Sequence, residues 1–235
     1  LDHFVRGKAN GFEKTPRLTV WMETRTPGTD YFSRQLLAAP AWSFHDSSLV
    51  PQRLHPVEYE LGAQGTLLSA ASLQPASTST QQDSIDYPVP GPVVSTRTAP
   101  DQWGPLAQHW RSGSLHYTSP PLPGSLLAYG PASADLWVSA TSADADLQLT
   151  LTELRPDGQE MFVQRGWLRL SNRKLDLARS TPLLPVPVDR PDSITPLDPD
   201  LQVFARVELS KFAHAFRRGS RLRLWIDTPD RKSVV

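Results

Sequence analysis

Nucleophilic hydrolysis requires a reactive serine, a carboxylate and a histidine in a recognisable spacing. The serine usually stands on a sharp strand-to-helix turn within G-x-S-x-G, and the carboxylate and the histidine follow along the chain. This sequence contains no G-x-S-x-G motif. Five of the six histidines are scattered and form neither a tight pair nor an H-E-x-x-H motif: His45, His55, His109, His116 and His214. The residue types therefore predict no catalytic residue in this chain.

Metal binding is the second chemistry to consider, and Asp144 with Asp146 is its best candidate. A calcium loop needs several oxygen ligands at regular spacing and a terminal Glu, whereas Thr141 and Ser142 add only hydroxyls. We therefore predict a structural role, in which these carboxylates accept hydrogen bonds from turn N–H groups between two strands. Cysteine is absent, which excludes a thiol nucleophile and a Cys-ligated zinc. The sequence predicts no cofactor-binding or metal-binding residue and no cofactor.

Tryptophans are the remaining candidates for a binding surface. Trp137, Trp167 and Trp225 fall within predicted strands, so we predict that they pack in the core. Trp103 and Trp110 lie beside predicted loops and are the better candidates for an exposed aromatic surface.

The composition limits the class of protein and its partners. Lys and Arg total 24 residues and so do Asp and Glu, which gives a formal net charge of zero. A protein surface that binds nucleic acid or an anionic membrane needs an excess of basic residues, so we expect neither as a partner. No apolar run reaches the length of a membrane span, and residues 1–20 lack the layout of a signal peptide. The compartment stays open between the bacterial cytoplasm, which we favour, and a secreted or periplasmic location.

The elements that would position any site are strands. With 235 residues, 23 prolines and 13 glycines, the chain favours a mainly β sandwich with many turns over a helical bundle. Leu147, Leu149 and Leu151 alternate with polar residues, and the turn at residues 155–158 returns the chain as a second strand, so we predict a hairpin. Further strands are predicted at residues 17–23, 136–140, 201–209 and 221–226, with a turn at 212–219, and residues 59–68 are predicted to begin the β domain as part of the same sandwich.

Other segments are predicted to be irregular. Residues 1–7 are typical of the last turns of a helix, residues 24–51 carry no period, and residues 102–111 suit a short helical turn. Residues 75–100 are rich in Ser, Thr, Pro and Gln and predict a long surface loop, whereas residues 174–199 form a Pro-rich passage.

The middle of the chain resembles a known family in an ordered set of residues. These are Leu115, Tyr117, Ser119, Pro121, Leu122, Gly130, Ser142, Ala143, Asp144, Asp146, Leu147, Pro156, Asp157, Gly158, Gly166, Leu168 and Arg169. The set resembles the C-terminal domain of X-Pro dipeptidyl-peptidases and cocaine-esterase-like hydrolases. The resemblance implies that Asp146 is a hinge point of packing against a hydrolase domain, and we expect Trp103 and Trp110 to lie near that domain.

The beginning of the chain resembles the end of the α/β-hydrolase domain of the same family. The matching residues are Asp2, Phe4, Gly7, Pro16 and Val20. The resemblance places the catalytic triad upstream, and it makes His3 an exposed helix histidine rather than a triad member. We therefore predict three parts: residues 1–56 as the end of the hydrolase domain, residues 57–229 as an incomplete jelly-roll (galactose-binding-like) domain, and residues 230–235. The last part reads DRKSVV, as does a common sequencing adapter when translated, so we expect it to be foreign to the natural protein.

The resemblance also implies a function for the parent protein. It would be a serine hydrolase of the CocE/NonD type, an esterase, acylase or dipeptidyl-peptidase that cleaves small-molecule ester, amide or peptide substrates through an acyl-serine. This fragment would lack the triad. A homo-oligomer remains one alternative for the assembly of the parent protein. The alternative is a free-standing carbohydrate-binding-like module, because fold does not fix function. Residues 1–22 favour the fragment, since a stand-alone module has no use for a truncated hydrolase helix and strand.

Overall fold

Ten strands are the main regular elements of the described structure. The computed structural model describes residues 2–16, 18–21, 43–46, 54–69, 82–86, 113–199 and 201–228. The strands are β1 (Leu18–Trp21), β2 (Ser43–Asp46), β3 (Tyr59–Gly62), β4 (Thr66–Ser69), β5 (Leu115–Thr118), β6 (Leu126–Val138), β7 (Asp146–Leu154), β8 (Glu160–Arg169), β9 (Val203–Phe216) and β10 (Arg221–Asp227). The prediction of a mainly β chain is confirmed. Within these ranges no helix is long and apolar enough to cross a membrane.

The strands form two facing layers and a small two-stranded sheet. Six strands make one sheet in the order β3-β4-β5-β10-β7-β8, in which only β4 and β5 are parallel. β6 and β9 pair as two long antiparallel strands in the second layer, and β1 pairs with β2. β10 is hydrogen-bonded on both sides, to β5 and to β7, so the last described strand lies in the interior of its sheet.

The predicted hairpin is formed by β7 and β8. Leu149 lies opposite Gly166, and the Arg155 amide donates to the Gln159 carbonyl at 2.8 Å to close the turn. Gly158 adopts φ 83°, which glycine accepts without steric cost. The sequence-predicted turn and both strands are confirmed.

The core lies between the six-stranded sheet and the β6–β9 pair. The alternating leucines of β7 point into it, and Leu147, Leu149 and Leu151 are all buried. Leu149 and Val207 of β9 are both fully buried in one cluster with Leu224 of β10. Each such side chain contributes about 1.5–3 kcal/mol relative to an exposed position.

Two predictions about strand limits are wrong. β9 does not end at residue 209 but continues to Phe216, because β6 also extends back to Leu126 and pairs with it across a bulge between Gly130 and Ala132. The turn predicted at residues 212–219 shrinks to the few residues before β10, where Gly219 has φ 80°. A bulge shifts the side-chain period, so the alternation in the sequence stops at a point where the strand itself goes on.

The N-terminal region differs in part from its prediction. Residues 2–6 form a turn that closes at Gly7, whose amide donates to the His3 carbonyl at 3.1 Å and whose φ is 64°, the arrangement in which a helix ends at a glycine. The predicted strand is confirmed as β1, but it pairs with β2, which lies in a segment predicted to be irregular. The Pro-rich passage at 174–199 is irregular apart from one 3₁₀ turn at Pro191–Ser193 and one bridge between Leu175 and Pro187. Residues 102–111, 229–235 and most of 75–100 lie outside the described residues.

Candidate functional site

A buried cluster of polar side chains is the described feature that most nearly resembles catalytic machinery. Glu153 and Arg155 stand at the end of β7, His214 stands near the end of β9, and Ser220 lies in the turn before β10. All four are buried, and Glu153 and Ser220 completely so. Glu153 shares the core-facing side of β7 with Leu149 and Leu151, so strand alternation itself carries the carboxylate inward.

Four groups surround the carboxylate of Glu153. Its Oε2 atom lies 3.0 Å from His214 Nε2 and accepts from Arg155 Nε at 3.4 Å. Its Oε1 atom accepts from the Arg217 amide at 2.8 Å and from Ser220 Oγ at 2.7 Å. Burial alone would raise the pKa of Glu153, but the hydrogen bonds from His214, Arg217 and Ser220 outweigh it and lower this pKa to about 2. Glu153 is therefore ionised at neutral pH, so His214 must donate from Nε2.

This arrangement differs from a Ser-His-Glu triad. In a triad the serine hydroxyl donates to the histidine, and the carboxylate orients the opposite ring nitrogen. Here both His214 and Ser220 donate to the same carboxylate, so the histidine does not accept from the serine hydroxyl as it would in a triad. Ser220 is also completely buried, which excludes a substrate carbonyl from its Oγ atom. The cluster therefore joins β7 to the turn between β9 and β10, and its role is structural.

The two aspartates considered as metal ligands have protein partners. Asp144 accepts hydrogen bonds from the backbone amides of Ala145 and Ser171 at 3.0 and 2.9 Å, and from the Ser171 hydroxyl at 2.6 Å. These are turn amides, as predicted. Asp146 instead forms a two-pronged ion pair with Arg169 across the β7–β8 hairpin, at 2.9 and 3.1 Å. Within the described ranges, no group of three or more His, Asp or Glu side chains could hold a metal ion.

The Asp144→Ala variant is expected to lose about 1–3 kcal/mol of unfolding free energy, because part-buried donors of Ser171 and Ala145 lose their acceptor. Urea denaturation followed by fluorescence measures the loss. Asp157→Ala is the matched control, since Asp157 accepts from the exposed Gln159 amide and should cost less. Equal losses in the two variants would contradict the role of Asp144.

Two of the three tryptophans predicted to be core residues are not. Trp225 is 4% exposed and donates from Nε1 to Glu160 at 2.7 Å, which confirms its burial. Trp137 is 69% exposed and Trp167 is 43% exposed. Each alternates with residues that face the core, such as Leu136 beside Trp137, so strand alternation points the indoles outward. The alternation of residues along each strand indicates this outward orientation. The sequence prediction gave more weight to the general preference for burying tryptophan.

Trp137 belongs to an ordered patch on the outer side of β6 and β9. Its Cα partner across the strands is Phe204, and the two rings meet edge to face with centroids 5.6 Å apart. The next pair along, Asp135 and Arg206, forms a two-pronged ion pair with one contact of 2.6 Å. The hydrogen bond to Asp135 raises the pKa of Arg206, whose guanidinium also lies 5.6 Å from the Phe204 ring. We call these four residues the Trp137 patch.

The histidines whose side chains the structure describes are not brought together into a site. His3 lies in a turn and is partly buried, rather than exposed on a helix, with Nδ1 3.1 Å from Glu13 Oε1. Its ring packs between those of Phe4 and Phe12. His116 packs against Trp225 with ring centroids 4.8 Å apart, whereas His55 is exposed. The side chains at positions 45, 103, 109 and 110 lie outside the described residues.

Comparison with family models gives one match over most of the chain. Residues 10–235 match the family described as the X-Pro dipeptidyl-peptidase C-terminal non-catalytic domain. The chain belongs to this family. The resemblance of the motifs in residues 113–173 is thereby confirmed. No match was found among the curated proteins.

Three solved structures illustrate the likeness in fold. A CocE/NonD family hydrolase from Staphylococcus aureus is 19% identical, with a TM-score of 0.65 over 96% of this chain and 36% of that one. An aminopeptidase from the marine sediment archaeon Thaumarchaeota archaeon is 17% identical, with a TM-score of 0.68 over 98% of this chain and 35% of that one. An α-amino acid ester hydrolase is 18% identical, with a TM-score of 0.51 over 74% and 28%. At such identities the likeness shows the fold alone, and the chain spans between 28% and 36% of these relatives.

Proposed function

We propose that this chain is the C-terminal, non-catalytic part of a serine hydrolase that cleaves ester, amide or peptide bonds through an acyl-serine. The match of residues 10–235 to a family of non-catalytic C-terminal domains carries the proposal. The chain spans only 36% and 35% of the length of two of these relatives. This supports the proposal, because a catalytic part would account for the remaining length. No cofactor is needed for such acyl transfer.

We also propose the division of the chain predicted from its sequence: residues 1–56 as the end of the catalytic part and its linker, residues 57–229 as a jelly-roll sandwich, and residues 230–235 as foreign. The family match, which runs from residue 10 to residue 235, does not separate these parts. The sandwich would act as a rigid body that packs on the catalytic part. The buried Glu153 cluster supports this passive role, since its acid–histidine pair is occupied in holding two strands together.

The 235-residue chain alone should not hydrolyse p-nitrophenyl butyrate above the rate of a denatured-protein control, because its buried Ser220 donates to the Glu153 carboxylate instead of to a histidine base. The complete polypeptide should hydrolyse this ester or an aminoacyl p-nitroanilide. Release of p-nitrophenol or p-nitroaniline at 405 nm measures both reactions. Turnover by the chain alone that survives Ser220→Ala would place a nucleophile elsewhere in it and would contradict the proposal.

A free-standing carbohydrate-binding module is the second candidate, and the exposed indole of Trp137 is the observation that favours it. Planar aromatic side chains on rigid strands suit stacking against an apolar ligand face. A glycan-binding screen of the 235-residue chain, with Trp137→Ala as control, separates the two candidates. The fragment hypothesis expects no binding that depends on Trp137.

A further inference from the structure

An exposed turn near the beginning of the chain contains the pair Asn10-Gly11. Asn10 is one of two asparagines in the sequence, and the other is Asn172. In every Asn-x pair the side-chain amide carbon is an electrophile, and the backbone nitrogen of the next residue is a nucleophile within reach of it. Glycine leaves that nitrogen least hindered, because it has no Cβ atom. The pair therefore brings together the two groups that a cyclisation of the backbone requires.

The fold holds the side chain of Asn10 in a reactive arrangement. Its Oδ1 atom accepts a hydrogen bond from the Phe12 amide at 3.1 Å, which folds the side-chain amide back over the Gly11 peptide unit. A donor at a carbonyl oxygen stabilises the negative charge that develops there when a nucleophile attacks the carbonyl carbon. Gly11 has φ 80° and ψ 3°, and a Cβ atom added to it would meet no atom within 4 Å. The region around the attacking nitrogen is therefore open.

The Gly11 amide proton is available to solvent. Among the residues that the structure describes, none accepts a hydrogen bond from this amide, and Asn10 and Gly11 are both exposed. Hydroxide can therefore remove the proton, which makes the nitrogen nucleophilic.

The turn at Asp157-Gly158 shows what the same local geometry does without these two properties. The Gln159 amide donates to Asp157 Oδ1 at 3.0 Å, and Gly158 also has a positive φ of 83°. However, the Gly158 amide donates to the Arg155 carbonyl at 2.9 Å, so its proton is held by the protein. An ionised carboxylate is also a much poorer electrophile than an amide. Asp157 should therefore be inert where Asn10 reacts.

Asn172 is the matched comparison for the amide itself. It lies half-buried in the 3₁₀ turn Leu170–Asn172, and Arg173 follows it with a full side chain. The Arg173 amide donates to the Leu170 carbonyl at 3.3 Å. The nucleophile next to Asn172 is therefore both crowded and hydrogen-bonded, whereas the nucleophile next to Asn10 is neither.

We propose that Asn10 is a site of spontaneous covalent modification in the folded chain, at which its side-chain amide is lost and an isoaspartyl linkage forms. The deprotonated Gly11 nitrogen attacks Cγ of Asn10. The N–Cγ bond forms, the Cγ–Nδ2 bond breaks, and ammonia leaves with a proton from water, which restores the hydroxide. Water then opens the five-membered ring, at the Cγ carbonyl to give aspartate or at the main-chain carbonyl to give isoaspartate. The reaction consumes one water, needs no oxidant or cofactor, and is independent of the proposed function.

The isoaspartyl form should disturb the packing of the N-terminal segment. Isoaspartate adds one carbon atom to the main chain between the turn at residues 2–6 and the 3₁₀ turn Phe12–Lys14. Across this connection the Phe12 ring centroid lies 5.1 Å from that of Phe4 and 5.4 Å from that of His3. His3 Nδ1 also lies 3.1 Å from Glu13 Oε1. A longer main chain shifts Phe12 and Glu13 relative to His3, so these contacts should be lost.

Peptide mapping by mass spectrometry tests the modification. The 235-residue chain is incubated at pH 8 and 37 °C, once folded and once in concentrated urea, and the exchange of NH for O is followed at both asparagines. Reversed-phase chromatography separates the aspartyl from the isoaspartyl peptide. In the folded chain Asn10 should convert about tenfold faster than Asn172, since a donor to a developing oxyanion gives about a hundredfold or more in a closed active site and less in an exposed turn. Gly11→Ala should slow the conversion at Asn10, because the added methyl group crowds the nitrogen.

The outcomes decide between a reactive and a protected turn. Conversion of Asn10 in urea but not in the folded chain would mean that the turn protects the amide, and it would overturn the proposal. Equal rates at Asn10 and Asn172 in the folded chain would overturn it as well. Nuclear Overhauser contacts between the His3 and Phe12 rings should disappear in the isoaspartyl form and persist in Asn10→Asp, which carries the new charge without the added carbon. Contacts that persist in the isoaspartyl form would overturn the predicted loss of packing.

Discussion

Replacing Glu153 by alanine should cost about 3–5 kcal/mol of unfolding free energy at pH 7, since breaking a buried ion pair leaves the opposite charge uncompensated. Glu153 is fully buried and accepts from His214, Ser220, Arg155 and the Arg217 amide. Removal of the carboxylate takes away the acceptor that these buried donors share. Urea denaturation of the 235-residue chain, followed by tryptophan fluorescence, measures the change.

Two further variants show that the loss comes from the carboxylate and not from the lost volume. Glu153→Gln keeps the size of the side chain, but its amide nitrogen cannot accept from His214 or Ser220, so we expect an intermediate loss. Glu60→Ala on the exposed face of β3 is the matched control and should change stability by less than about 0.5 kcal/mol. A loss below about 1 kcal/mol for Glu153→Ala would contradict the role of the cluster.

The same group should make the chain acid-sensitive in a defined pH range. The pKa of Glu153 is about 2 in the folded chain, against an ordinary value of 4.5. A lowered pKa in the folded state means that the stabilisation is complete above pH 4.5 and is lost as the pH falls from 4.5 towards 2. The shift corresponds to about 3 kcal/mol, at 1.36 kcal/mol per pH unit. Urea midpoints should therefore fall more steeply between pH 4.5 and pH 2 in the wild type than in Glu153→Gln.

Local pattern in the sequence predicts strands and turns better than it predicts pairing. The β7–β8 hairpin follows from alternating leucines and a Pro-Asp-Gly turn that lie within a few residues of each other. The place of β10 between β5 and β7 depends on contacts more than sixty residues away, which no local period contains. The extension of β9 to Phe216 escapes the pattern because a bulge opposite Gly130 breaks the period.

The same limit explains what the sequence could say about the candidate site. Alternation from Leu149 through Leu151 places Glu153 on the core face, yet an unpaired glutamate almost never lies in a core. Its partners come from the β9 and β10 region, so only the folded chain shows why the burial is tolerated. Trp137 is the opposite case, because its outward position could be read from its neighbour Leu136 while its pairing with Phe204 could not.

The Gly166→Ala variant is expected not to fold into the native sandwich. A Cβ atom at Gly166 would lie 1.7 Å from the carbonyl oxygen of Glu208 and 3.1 Å from the Cα atom of Leu209. Both contacts are with the backbone of β9, so no side chain can rotate to relieve them. β8 and β9 would have to move apart, and the buried Leu168 and Leu209 on either side would lose their packing.

The size of this effect follows from the steric overlap and not from backbone conformation. Gly158 in the same hairpin has φ 83°, and a Cβ atom added there would meet no atom within 4 Å, so Gly158→Ala meets conformational strain alone. That strain costs about 1 kcal/mol. Overpacking costs about 1–3 kcal/mol where side chains can adapt, and more where they cannot, against a total stability of about 5–15 kcal/mol for a domain.

Near-ultraviolet circular dichroism and thermal melting of the two variants test whether Gly166→Ala loses the native fold. Gly158→Ala should retain the near-ultraviolet spectrum of the wild type and melt cooperatively a few degrees lower. Gly166→Ala should lose the spectrum and the cooperative transition. If Gly166→Ala melts within a few degrees of Gly158→Ala, β8 and β9 do not approach as closely as the structure places them. Gly166 belongs to the motif that carries the family resemblance. That outcome would mean that the close approach of β8 and β9 is not the reason for a glycine at this position.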